Sequence, residues 1–154
     1  MNSEQPLNLV NIWPTLLAAA EEARRTRHPH IGSEHLALLA LGGPDGIEAM
    51  AIEGGLDATK IRAAIEACCD ATPIDGEPAV TPRTARMLAF AAQVALVEHA
   101  PEIRAVDLIA VFLNDPGAIA WRGLMTAGVG PDILASGLSR RRGVDSRASR
   151  RSDA

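Results

Sequence analysis

Aromatic side chains are nearly missing from this chain. Two residues are Phe, two are Trp and none is Tyr among 154, so a core must be built from Ala, Leu, Ile and Val. Lysine is nearly missing too. Lys60 stands alone and follows no glycine-rich loop, and no Gly-x-x-x-x-Gly-Lys-Ser/Thr run occurs anywhere, which excludes a phosphate loop for ATP hydrolysis. The two cysteines, Cys68 and Cys69, are adjacent. Neighbours rarely bridge each other, so the pair implies reduced thiols rather than a disulfide framework, and by itself it is no metal site. No apolar run reaches the roughly 20 residues needed to cross a bilayer. The first six residues lack the basic region of a signal peptide, and the expectation is a cytoplasmic protein. There is no Gly-x-Ser-x-Gly elbow and no local Cys–His pairing, so nothing points to catalysis.

Hydrophobic residues make up 47% of the chain and charged residues 22%, ordinary values for a globular domain with a real core. The net charge of -4 is unevenly placed. From Ser139 onward there are six Arg and two Asp, a tail of +4, which leaves the body at -8. An acidic body is a poor nucleic-acid surface, and an Arg/Ser-rich stretch over 139–154 is expected to be a disordered tail.

Shifting the sequence by 72 positions aligns it with itself. Leu16 meets Leu88, Ala19 meets Ala91, Ala23 meets Ala95, Pro29 meets Pro101, Ile31 meets Ile103, Leu36 meets Leu108, Leu41 meets Leu113 and Pro44 meets Pro116. Matches at apolar and turn positions are what a duplicated helical unit keeps. The reading is an all-α fold of two tandem four-helix repeats related by pseudo-two-fold symmetry. Residues 1–8 form a lead, 9–70 the first repeat, 71–80 a linker and 81–138 the second repeat.

Within the first repeat a helix is expected over 10–27, with Pro14 in its first turn and Leu16, Leu17, Ala20 and Ala23 on its apolar face. A second helix follows to Gly42-Gly43. Asp45 is a candidate cap for a third, with Ile47, Met50 and Ile52 inside and Gly54-Gly55 as its stop. Asp57 caps a fourth, over 58–70. In the second repeat, Thr81-Pro82-Arg83 places a cap before a first-turn proline, and the helix runs to about His99. Further helices are expected over 105–113, from Asp115-Pro116 to Gly128, and from Pro131 to about Leu138. Nothing reads as a strand.

The densest cluster of polar chemistry is the turn within residues 28–41. Pro29 ends one helix, Gly32 permits a sharp turn, Ser33 is placed to cap the next helix, and Glu34 and His35 stand in its first turn. His28, His30, Glu34 and His35 together lack the helical His-x-x-x-His spacing of a metal site, so no metal or other cofactor is expected. Trp13 and Trp121 read as core or interface anchors. An exposed Trp13 beside Leu7 and Leu9 would mark a groove for an apolar partner.

Ile31-Gly32-Ser33-Glu34-His35-Leu36, the upstream Glu21-Glu22-Ala23-Arg24 and the Thr81-Pro82-Arg83 start together resemble the N-terminal domain of Clp unfoldases, the ClpA and ClpC type. The resemblance spans about residues 16–138. It implies a non-catalytic module that recruits substrates and adaptor proteins to a hexameric unfoldase, binds phosphorylated arginine through the Glu of the turn, and is a target of cyclic peptide antibiotics. Carried onto this chain, the ligand-binding residues are Ser33, Glu34 and His35, with Thr81 and Arg83 placed to hold a phosphate or carboxylate. A carboxylate grips a guanidinium through two hydrogen bonds.

Two departures follow from the same resemblance. In the second repeat the Gly-Thr-Glu-His motif reads Arg104-Ala105-Val106-Asp107, so the acidic position is Val106 and one of two phosphoarginine sites is expected to be lost. The family's Phe before Thr-Pro-Arg is Val80 here, which reduces an apolar groove formed by Leu7, Leu9, Trp13 and Val80. The expected partners are the Clp machinery, its adaptors or substrate peptides, with the chain acting as adaptor or competitor of an unfoldase's own domain. The alternative is a resistance protein that sequesters cyclic peptides. Neither a membrane nor a nucleic acid is an expected partner.

Overall fold

The computed structural model describes residues 10–68 and 76–152, the last nine of these by backbone alone. Leu7, Leu9, Cys69 and the first half of the expected linker lie outside these residues. Eight helices are described: α1 (Trp13–Arg25), α2 (Ser33–Leu39), α3 (Ile47–Glu53), α4 (Ile61–Glu66), α5 (Pro82–Val97), α6 (Ala105–Leu113), α7 (Ala120–Thr126) and α8 (Pro131–Ser152). A 3-10 turn over Ala58–Lys60 leads into α4, and Asp57 caps it by accepting from the Thr59 N–H.

Small residues let the helices approach closely. α1 buries Thr15, Ala19, Ala20 and Ala23, and α5 buries Ala91 and Ala95 beside Met87 and Leu88. Between them lies one core of Leu36, Leu41, Ile47, Met50, Ile61, Ile65, Ile109, Phe112, Leu124 and Leu134, all buried. Trp121 is part of it and satisfies its indole N–H on the carbonyls of Phe112 and Asp115. Gly123 lets α7 lie against the backbone of α4, where a Cβ would stand 2.6 Å from the Ile65 Cα.

The duplication is visible atom by atom. Arg27 and His99, 72 positions apart, both take φ of 58° just past a helix end. The following N–H groups then reach back equivalently, His28 to the Ala23 carbonyl at 2.8 Å and Ala100 to the Ala95 carbonyl at 2.9 Å. The repeats also exchange contacts reciprocally. β2 (Ala79–Val80), leading into α5, pairs in parallel with β1 (His30–Ile31) of the first turn. Asn11, leading into α1, pairs with Glu102 of the second turn.

Several expectations need correction. The two-residue strands β1 and β2 were invisible because they are too short to show a period of two. Gly32, not Ser33, is the N-cap of α2. Asp45 does not cap α3. Gly46 holds that position, and Asp45 pairs with Arg141. Ile52 and Leu17, assigned to apolar faces, are exposed. α7 begins at Ala120 rather than at Asp115-Pro116, because Asp115 is engaged by Arg83.

The largest difference is α8, which does not stop at Leu138. It continues helically to Ser152, across most of the stretch expected to be disordered. Leu134 and Leu138 are buried, and Gly137 lets the helix press on Met50 of α3. Arg140 and Arg141 both bind Glu53, Arg141 also reaches Asp45 and the Pro44 carbonyl, and Arg142 pairs with Glu98 in the second repeat. Arg140, Arg141 and Arg142 are thus bound to acids on both repeats, which anchors the helix past Leu138.

Candidate functional site

Ser33, Glu34 and His35 occupy the first turn of α2, and all three are buried. Glu34 is the unusual one. Its side chain is only 11% exposed, and its Oε2 has no hydrogen-bond partner. The carboxylate lies against Gly32, where a Cβ would stand 2.5 Å from both carboxylate oxygens. Only glycine at 32 leaves that space. Burial pushes the Glu34 carboxyl above its usual range, opposed by its own backbone N–H and by the field of His30. An orphaned buried carboxylate costs stability, and a bound donor would relieve that cost.

The neighbouring side chains hold the turn together. Ser33 Oγ accepts from the Ala120 N–H at 3.0 Å, so it tethers the start of α7 rather than capping its own helix. His35 instead binds the residue before its own helix, with its Nδ1 accepting from the Gly32 N–H at 2.9 Å. His35 Nε2 lies 2.7 Å from His28 Nδ1, and the Thr26 hydroxyl lies 2.7 Å from the same nitrogen. Burial and the adjacent His28 lower His35 to about 4. On the α4 side, burial raises the Cys68 thiol, Arg122 of α7 opposes that rise, and Glu34 adds to it. The ends of α2, α4 and α7 therefore meet around this carboxylate.

The β1–β2 ladder carries Val80 and Thr81 to the same turn, with the Thr81 N–H on the Ile31 carbonyl at 3.4 Å. The Thr81 hydroxyl caps α5 by accepting from the Thr84 N–H. Arg83 points elsewhere, holding Asp115 through two hydrogen bonds of 2.9 and 2.7 Å and lying over Gly117. Trp13 is 62% exposed and Val80 is 39% exposed, while Leu7 and Leu9 fall outside the described residues. Trp121 is core.

At the second turn Val106 lines an open cleft of about 860 Å³, together with Arg104, Glu98, Glu53 and Arg140–Arg142. Its acids are already paired: Glu98 with Arg104 and Arg142, and Glu53 with Arg140 and Arg141. Among the described residues no group of three or more His, Cys, Asp or Glu is placed to hold a metal ion. No described helix is long and apolar enough to cross a membrane.

Sequence reasoning passed over His28 and Thr26 as partners of His35, and over Gly32 as the cradle of Glu34. The 72-residue shift was the available signal, since it sets Thr26, His28 and His35 against Glu98, Ala100 and Asp107.

Solved structures place the fold. The N-terminal domain of the caseinolytic protease associated chaperone ClpD from Arabidopsis thaliana superposes with a TM-score of 0.60 at 17% identity, covering 82% of this chain and 90% of that one. A structure from work on a malarial protein secretion system gives 0.59 at 18% identity, covering 84% and 90%. No curated protein sequence matches. Residues 10–96, more than half the chain, match the Clp repeat (R) N-terminal domain, and the chain belongs to that family of protein-interaction modules.

Proposed function

We propose that this protein is a non-catalytic recognition module of the Clp system that takes a guanidinium group at Glu34, phosphorylated arginine on marked substrates being the ligand of that class. The observation that carries this reading is the buried carboxylate whose Oε2 has no partner, beside a glycine that leaves it room. A guanidinium offers the paired N–H groups such a carboxylate lacks. The module has one such site, because Val106 replaces the acid in the second turn. It serves as an adaptor or as a competitor of an unfoldase's own N-terminal domain.

Calorimetry with free phosphoarginine tests this. The expected result is one site per chain, lost in Glu34→Ala. No heat at millimolar ligand overturns it.

A second reading, capture of an apolar cyclic peptide, is favoured by the exposure of Trp13 and Leu17, one helical turn apart on α1. Trp121 is buried, so a ligand-induced change in Trp emission that vanishes in Trp13→Phe would support that reading. An unchanged spectrum at saturating peptide would remove it.

A further inference from the structure

We propose that the groove between α5 and α6 is a second binding site, separate from Glu34, that takes the C-terminal residue of a partner chain: its apolar side chain on the groove floor and its α-carboxylate on Arg86 and Asn114.

α5 and α6 are joined through the second turn and pack along each other, so the start of α5 faces the end of α6. A cleft of about 330 Å³ lies between them there. Its floor is Met87 and Val111, both buried, and Phe90 forms a wall that stays 39% exposed. The chain has two Phe. Phe112 is fully buried, and Phe90 is the one kept at the surface. Arg86 and Phe90 are one turn apart on the same face of α5, as Val111 and Asn114 are on α6.

The rim of the cleft carries more positive than negative charge. Arg83 spends Nε and Nη2 on the two oxygens of Asp115, a pair closed on itself. Those bonds hold the Asp115 carboxyl below its usual range, and the fields of Arg83 and Arg86 and the Gly117 N–H add to this. Arg86 itself, exposed on α5, forms no hydrogen bond or ion pair with a described residue. The exposed Asn114 amide also has no partner among the described residues. A guanidinium with its donors unspent grips a carboxylate through two hydrogen bonds, and the Asn114 amide adds a third donor.

These groups are additions to the duplicated scaffold. At positions 72 earlier, Pro14 stands for Arg86, Ala18 for Phe90 and Gly42 for Asn114. The first repeat builds its own helix pair without the cation, the aromatic ring or the amide, so packing does not require them.

Size and charge select the occupant. The cleft is at the small end of the roughly 300–1,000 Å³ of ligand pockets, and a helix about 10 Å across does not enter it. An apolar side chain and a carboxylate on one Cα belong to a chain terminus or to a free amino acid. The two differ in the α-nitrogen. A free amino acid brings an ammonium group, which Arg86 repels and which finds the one acid of the rim already held by Arg83. In a chain terminus that nitrogen is a neutral amide, and only the carboxylate is charged.

Nitrogen-15 spectra of the full chain titrated with N-acetyl-Ala-Leu test the site. Shifts should gather on α5 and α6 around Phe90, Val111 and Asn114. The same dipeptide with an amidated C-terminus should bind at least about tenfold more weakly, and Arg86→Gln should show the same loss for the acid. Its denaturation midpoint should match the wild type, because Arg86 holds no described partner. Phe90→Ala should erase the preference for Leu over Gly as the last residue. Glu34→Ala should change none of these, so failure of the guanidinium site and failure of this one are read separately. An amidated dipeptide that binds as well as the acid, wild-type affinity in Arg86→Gln, or no shift on α5 and α6 at millimolar dipeptide overturns the proposal. Free leucine binding as tightly as the dipeptide would overturn the assignment to a chain terminus.

Discussion

Thr26, His28 and His35 hold in the first turn the places that Glu98, Ala100 and Asp107 hold in the second. The backbones agree, down to the left-handed Arg27 and His99 and the donation from the N-cap N–H to the third residue of the helix, Gly32 to His35 and Arg104 to Asp107. The chemistry differs. In the second turn Asp107, fully buried, accepts from the Arg104 N–H at 2.8 Å and from its guanidinium at 3.1 and 2.9 Å, and Glu98 binds the same guanidinium. Arg104 thus closes its own turn with a charge. In the first turn the equivalent residue is Gly32, which brings no charge and leaves a space that Glu34 enters. One duplicated scaffold has given a closed, self-paired turn and an open one with an unsatisfied acid.

The largest contrast should appear on acidification. His35 is held at about 4 in the fold, below the roughly 6.5 of a free imidazole. Between those values the unfolded chain binds more protons than the folded one, so stability falls as pH drops through the window and is complete above it. The ceiling on the loss is about 3 kcal/mol. Glu34 works in the opposite sense. Its raised carboxyl binds protons more readily when folded, so its penalty is felt above its folded pKa and fades as pH falls. Urea midpoints between pH 7 and 4 would measure the net slope. In His35→Gln, where an amide oxygen can still accept from Gly32, the downward slope should flatten. A slope unchanged in that variant would break the link between the first turn and acid sensitivity.

Next in size is the second turn itself. Asp107→Ala removes the buried acceptor of the Arg104 N–H and guanidinium. Arg104 is 40% exposed and retains Glu98, so the cost is reduced from that of a fully buried pair to about 2 kcal/mol. Denaturant unfolding at pH 7 would show it. A cost under about 0.5 kcal/mol would mean that Glu98 alone closes the turn.

Ser33 gives a smaller effect. Its hydroxyl joins α2 to α7 across 87 residues of sequence, and Ala105, the equivalent residue, has no hydroxyl. Ser33→Ala should cost about 1 kcal/mol with the helices intact. A cost near zero by the same measurement would show that the Ala120 N–H finds another acceptor.

These residues also explain what the sequence revealed and what it hid. The second-repeat helix over 105–113 was readable to its last residue, because its apolar face is dense and Asn114-Asp115 follow at once. The core positions recurring at a spacing of 72 exposed the duplication for the same reason. Caps were harder. Ser33, Asp45 and Asp115 all have capping chemistry, yet each is engaged by a residue far along the chain: Ala120, Arg141 and Arg83. Local preference is a weak guide where a distant partner competes for the same oxygen. The continuation of α8 was hidden likewise, since Arg-rich sequence reads as solvated until Glu53 and Glu98 are known to face it. Glu34 was legible as a site because of its motif. Its lack of a partner was not, because that depends on Gly32, on the burial of α2 and on where His35 turns its ring.

The smallest expected effect sharpens the comparison most. Restoring the acid by Val106→Glu should leave phosphoarginine stoichiometry at one by calorimetry. Glu34 sits where Gly32 has no Cβ, and Arg104 has both a Cβ and a guanidinium that would take the new carboxylate for itself. The double change Arg104→Gly with Val106→Glu removes both obstacles and leaves Asp107 to accept from the residue 104 N–H as His35 does from Gly32. If the single substitution alone created a second site, the glycine would not be what opens the first turn, and the cradle argument for Glu34 would fail. If neither variant gained a site while the wild type kept its own, the neighbours that only the first turn has, Ser33 and His35 with its partner His28, would be the part of the site that an acid and a glycine cannot supply.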